Sequence, residues 1–164
     1  INLIEILSLY LQKIKLNIMI QRIQTVFLFL SVVLTGILFF VPIAFFNVGE
    51  DVVKLSVLNL ETRPNVLPLL ILTVLMLLVP CVTIFLFKKR ELQLKLSSLN
   101  VLLNASFCCL VSIFYVDKMH EMLSVDASYV FGAYVPLINM VLSILAMRWI
   151  KKDIDLIKSV DRLR

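Results

Sequence analysis

The 164-residue chain is 61% hydrophobic and only 16% charged, with a mean hydropathy of +1.02 and a formal net charge of +5. Soluble domains average about 45–50% apolar and about 25% charged residues, so this composition excludes an ordinary water-soluble globule, and its hydrophobicity excludes disorder. The excess of positive charge does not point to nucleic acid, because the basic residues sit in short gaps between long apolar runs rather than in one patch.

Upstream of those runs, residues 1–18 are rich in Ile, Leu, Asn and Lys and begin with Ile. Two readings are open for them: a gene-model extension ahead of Met19, or a helix lying on the inner membrane surface. No small-residue cleavage site of the signal-peptide type is present among them.

Four uncharged apolar runs follow: Ile23 to Phe46, Val66 to Phe87, Leu96 to Val116 and Ala127 to Met147. About 20 apolar residues suffice to cross a hydrocarbon core of about 30 Å as a helix. The runs are far longer than the 9–11 residues of a barrel strand and lack inward polar alternation, so they predict helices. Pro64 and Asn65 mark the expected start of the second span, since proline is tolerated in a first turn.

Lys and Arg sort the connecting segments into two sets. Thirteen lie before the first span, in the second loop and in the tail, against three in the first and third loops. The positive-inside rule therefore predicts that both termini and the middle loop are cytoplasmic. The two outward loops hold Glu50, Asp51, Glu61, Asp117, Glu121 and Asp126. Tyr115 and Tyr129 are expected at the outer interface and Trp149 at the inner one. Within the first loop, Val53 to Val57 alternates apolar and polar and predicts a short strand on the outer surface.

No span contains Asp, Glu, Lys, Arg or His, which argues against a proton relay or a voltage sensor built on intramembrane charge. Uncharged polar residues remain. Asn100 and Asn104 share a face of the third span, and Asn139 and Ser143 repeat the spacing on the fourth. Counting at 1.5 Å per residue puts Asn104 and Asn139 about 12 Å above the inner boundary, with Ser31 and the helix-breaking Pro80 at nearly the same level. This candidate polar layer reads as interhelical glue, with a contact expected between Asn104 and Asn139. The sharper alternative is a small polar pocket or half-channel open to the cytoplasm.

Other candidate chemistry is sparse. Cys81, Cys108 and Cys109 lie within spans and form no Cys-x-x-Cys pair, so they read as soft core residues. Met119, His120, Glu121 and Met122, with Asp117 nearby, supply too few soft ligands for a copper site and read as a solvated turn. No phosphate loop, nucleophile–base set or paired carboxylates is present, so no enzymatic activity, catalytic residue, cofactor or metal is expected.

The tail, residues 148–164, is the expected working surface. Ile150, Ile154, Ile157 and Val160 form an amphipathic stripe, while Lys151, Lys152, Lys158, Arg162 and Arg164, next to Trp149, can reach anionic headgroups at about 1 kcal/mol each. Anchoring to the inner leaflet, extension of the fourth helix, and docking of a protein partner or second copy are the open readings of it.

The two ends of the chain also carry a resemblance. Met19 to Thr25 reads Met-Ile-Gln-Arg-Ile-Gln-Thr, and Asp161 to Arg164 closes a basic helix with Asp-Arg-Leu-Arg. This pair resembles the signature of small bacterial membrane proteins grouped as the domain of unknown function numbered 4293, found mainly in Bacteroidota. The resemblance covers about residues 19–164, and residues 1–18 depart from it. It implies a four-span inner-membrane protein and no particular activity.

The expected fold is thus all-α: a four-helix transmembrane bundle, residues 19–147, in up-down order with an amphipathic cytoplasmic C-terminal helix. The expected role is a non-enzymatic interaction or scaffold module in the inner membrane, its partners being the bilayer and a membrane or cytoplasmic protein or another copy of itself. The alternative is a small transporter or channel subunit built on the polar layer.

Overall fold

A computed structural model describes residues 23–48, 51–58, 66–87 and 89–161. The upstream segment 1–18, the opening motif up to Arg22, Pro64 and Asn65, and the tail residues Arg162 and Arg164 lie outside the described residues.

The first helix, α1, runs Ile23–Leu38, shorter than the stretch to Phe46 read as the first span. Pro42 is the reason: it has no N–H to donate and biases the preceding residue away from helical dihedrals. The last turn tightens, with Phe40 N donating to Ile37 O at 3.0 Å. Residues Ala44–Val48 then form strand β1 and pair antiparallel with β2, Asp51–Leu55, in a register that sets Val48 against Asp51. The expected first-loop strand thus exists, two residues earlier than its alternation suggested.

Helix α2, Leu67–Phe85, starts with a proline in its first turn. That residue is Pro68. Helix α3, Arg90–Cys109, passes without a break through a π-helical segment, Leu110–Val116, into α4, Asp117–Leu123. Ser124, at φ 53°, ends the rod in the left-handed region, its N–H donating to His120 O at 2.8 Å. The third helical rod is therefore longer at both ends than Leu96–Val116, and Tyr115, expected at an interface, is fully buried.

Strand β3, Ala127–Tyr129, adds to the free edge of β1 and gives the order β2-β1-β3. The fourth run thus opens as a strand before α5, Phe131–Asp161, begins. At 1.5 Å per residue α5 is about 46 Å long, well beyond a hydrocarbon core. The expected C-terminal helix continues this rod, as the reading of the tail as an extension of the fourth helix has it: no Pro or Gly follows Pro136 to interrupt it. Gly132 lets the start of α5 lie on the turn after α1, since a Cβ there would run into the Pro42 carbonyl and come within 3.2 Å of Ile43 Cα.

The described chain is mostly helical, with four helical rods, three of them long and apolar enough to cross a membrane, and one small sheet. Each rod buries one stripe. Gln24, Leu28, Ser31, Thr35 and Leu38 face inward from α1, and Leu69, Thr73, Met76, Pro80 and Thr83 from α2. Both stripes step by 4 and 3, the average period of an α-helix. On the third rod the inward residues are Gln93, Ser97, Asn100, Asn104, Phe107, Val111, Tyr115 and Met119. Its last steps are all 4, which in an α-helix drift about 40° each. The wider π turns absorb that drift and keep Val111, Tyr115 and Met119 on the core side.

Large apolar side chains point the other way: Phe29, Phe85, Leu102 and Ile113 are 60–78% exposed while Ser31, Asn100, Asn139 and Ser143 are 0% exposed. The polarity of a soluble protein is inverted, as it is for helices solvated by lipid. The chain is a membrane protein.

Candidate functional site: a buried polar seam

The inward stripes divide by chemistry along their length. Near the sheet, Leu38, Ile43, Phe46, Phe107, Val111, Tyr115, Met119 and Val135 make an apolar core. Away from the sheet the same stripes turn polar, with Ser31, Thr35, Thr83, Gln93, Ser97, Asn100, Asn104, Asn139 and Ser143 all buried.

Two hydrogen bonds cross between rods near the middle of the seam. Asn100 Nδ2 donates to Ser143 Oγ at 2.8 Å, and Asn139 Nδ2 donates to Thr35 Oγ1 at 2.9 Å. Thr35 Oγ1 in turn donates to Ser31 O at 2.8 Å, one turn back on its own helix. Ser31, Asn100, Asn139 and Ser143 are therefore brought together as the sequence suggested. No hydrogen bond joins Asn104 to Asn139. Asn104 Nδ2 donates instead to Asn100 O at 2.7 Å along its own helix, and Asn139 reaches α1. The Asn100–Ser143 bond sets the antiparallel register, which levels Asn104 with Asn139, but each Nδ2 donates elsewhere.

Pro80 is buried but not level with Asn104. Gln93 Nε2 donates to Thr83 O at 3.3 Å, and counting back three residues on α2 and forward on α3 sets Pro80 near Ser97. The expected single layer is instead a seam several turns deep.

The end of the seam away from the sheet carries an ion pair between rods that sequence reasoning missed. Arg90 Nη1, at the start of α3, meets Asp153 Oδ2 on α5 at 2.5 Å, with the Asp153 side chain only 1% exposed and that of Arg90 20%. Both residues fall outside the four apolar runs, Arg90 in the second loop and Asp153 in the tail. The signal that could have found them is phase, since Asp153 falls three residues after Ile150 and ten after Ser143 on the inward stripe.

This pairing changes the reading of the tail. Ile150 and Ile154 are buried with Asp153 against the bundle, so the apolar stripe serves the protein's own packing rather than a free surface. Lys151, Lys152 and Lys158 are exposed on the other side, and Lys152 Nζ lies 5.2 Å from the Trp149 ring centroid. Nothing is described of the Ile157 side chain.

The remaining candidates stay apart from the seam. Cys81, Cys108 and Cys109 carry free thiols. His120 Nδ1 sits 3.2 Å from Val125 O and 3.5 Å from Asp126 Oδ1 on the exposed turn after α4. A cavity of about 250 Å³ beside the sheet is walled by Phe107, Cys108, Val111, Tyr134 and Leu137 and is chiefly apolar.

The sequence model of one family, described as Domain of unknown function (DUF4293), matches residues 20–163. No curated protein and no solved structure matches the chain. With the match covering nearly its whole length, the chain belongs to this family.

Proposed function

We propose that this family member is a non-enzymatic, four-span module of the inner membrane, with its helices in up-down order and both termini cytoplasmic. One observation carries the reading: polar side chains close the bundle from within while its outer surface is left to Phe, Leu, Ile and Val. Such a bundle offers its surroundings an apolar belt and, at one end, a basic collar of Lys89, Lys95, Arg148, Lys151, Lys152 and Lys158, all exposed. The collar suits the anionic cytoplasmic leaflet, where each cation contributes about 1 kcal/mol, and a partner protein docking beside it.

The test is a mild-detergent pull-down of the full chain, read by mass spectrometry and native mass. A partner retained by the wild type and lost from Lys151→Glu/Lys152→Glu/Lys158→Glu supports the module. Truncation of the tail is the wrong variant, because it also removes Asp153 from Arg90. A partner-free homo-oligomer shifts weight to the second reading, a transporter or channel subunit, which the depth of the buried polar seam supports; loss of no partner from the triple variant contradicts docking beside the collar.

A further inference from the structure

The seam holds more hydrogen-bond acceptors than its own donors satisfy. Ser31 Oγ, Gln93 Oε1, Ser97 Oγ, Asn104 Oδ1, Asn139 Oδ1 and Asp153 Oδ1 are buried and make no hydrogen bond within the protein. An unpaired buried polar atom is costly, and such atoms are ordinarily few and scattered. Here they share one interior strip.

The hydroxyls make the point most clearly. Thr35, Thr73 and Thr83 each turn back onto the carbonyl four residues earlier, at 2.6–2.8 Å. Ser31 and Ser97 have the same option on the same kind of helix and leave it unused. Their oxygens are turned to the seam for something that can both donate and accept.

Geometry separates two occupants. A cation needs about six oxygens converging on one point. From Gln93 to Asn104 the orphaned atoms extend over eleven residues of helix, about 16 Å, which no single ion can gather. Water needs only two to four partners for each molecule and bridges such a row naturally.

We propose that the half of the bundle away from the sheet holds a file of bound water. Its mouth is the Arg90–Asp153 pair, where Arg90 keeps partial contact with the surroundings and Asp153 Oδ1 is left to accept a hydrogen bond. Its closed end is the level of Thr35, Asn104 and Asn139, above which the stripes become the apolar core around Leu38 and Phe107. The file is therefore open in one direction only. It hydrates the interior of the bundle and crosses no membrane, and it stands whether the protein acts as a partner module or not.

The file is tested with hydroxyl-radical footprinting of the full chain in lipid nanodiscs, in which X-ray radiolysis of water marks side chains beside bound water molecules. Two methionines report. Met76 is 0% exposed and, although it packs in the same apolar cluster as Met119, lies opposite Asn100 on the flank of the seam by the Gln93–Thr83 register; Met119 is 2% exposed in the part of that cluster near the sheet. The file predicts oxidation of Met76 several-fold faster than Met119, falling to the Met119 rate in Asn104→Leu/Ser97→Ala. Equal, slow oxidation of both methionines in the wild type overturns it, as does fast Met76 oxidation that the double variant leaves unchanged. If the double variant does not assemble, the wild-type comparison alone decides.

Discussion

Asp153 is a carboxylate with almost no exposed surface, held by one guanidinium from another helix. Removing one partner of such a pair leaves a buried charge uncompensated, at about 3–5 kcal/mol, whereas replacing both by apolar groups is often neutral. Arg90→Leu is therefore expected at the lower end of that range, because Arg90 is itself partly exposed, and Arg90→Leu/Asp153→Leu is expected to recover most of the loss. Melting of the purified protein in detergent checks both. The two resolvable glycines give an opposite pair. Gly132→Ala forces a methyl against the Pro42 backbone and is expected to lower the melting temperature. Gly36→Ala, with nothing within 4 Å, is expected to raise it slightly, by the helix propensity difference of up to about 1 kcal/mol. A melting temperature unaffected by Gly132→Ala contradicts the close approach of α5 to the turn after α1.

Between elements, the informative contacts are those that pair helices. Asn100 with Ser143 and Asn139 with Thr35 hydrogen-bond across rods, and intramembrane bonds of this kind average about 0.6 kcal/mol by double-mutant cycles, with a maximum of about 1.7. A cycle of Asn100→Leu and Ser143→Ala is expected to show coupling in that range, while Asn104→Leu and Asn139→Leu are expected to be additive. Strong coupling of the second pair and none of the first would overturn this assignment of hydrogen-bond partners within the shared register of α3 on α5. The sequence made the polar residues visible, because Asn and Ser stand out in an apolar run. It did not reveal their partners: an amide at a given depth can turn along its own helix, as Asn104 does, or reach any neighbour of the right phase. Element ends were lost for a related reason. Hydropathy cannot distinguish the strand residues Ala44–Phe46 and Ala127–Tyr129 from helix, because both are apolar runs; the breaks come from Pro42 and from pairing with distant β1. Gln93, Arg90 and Asp153 escape a reading by hydropathy because charge and polarity ordinarily mark loops, whereas these residues continue the inward stripe beyond the apolar stretch.

For the whole molecule, the length and apolar character of three helices mark a membrane protein, and the proposal of a four-span bundle with its basic end in the cytoplasm rests on the distribution of charge. The sheet end and the collar end lie at opposite ends of α5, with Phe131 and Lys151 separated by about 30 Å of helix, about one hydrocarbon thickness. That makes sidedness the most direct test. In a background with Cys81, Cys108 and Cys109 replaced, single cysteines are placed at the exposed positions Ser128, in the sheet, and Ser159, near the end of α5, and intact cells are treated with a membrane-impermeant maleimide. The account predicts that Ser128→Cys is labelled from outside and that Ser159→Cys is labelled only after the membrane is opened. Labelling of Ser159→Cys in intact cells, or of both positions alike, contradicts it.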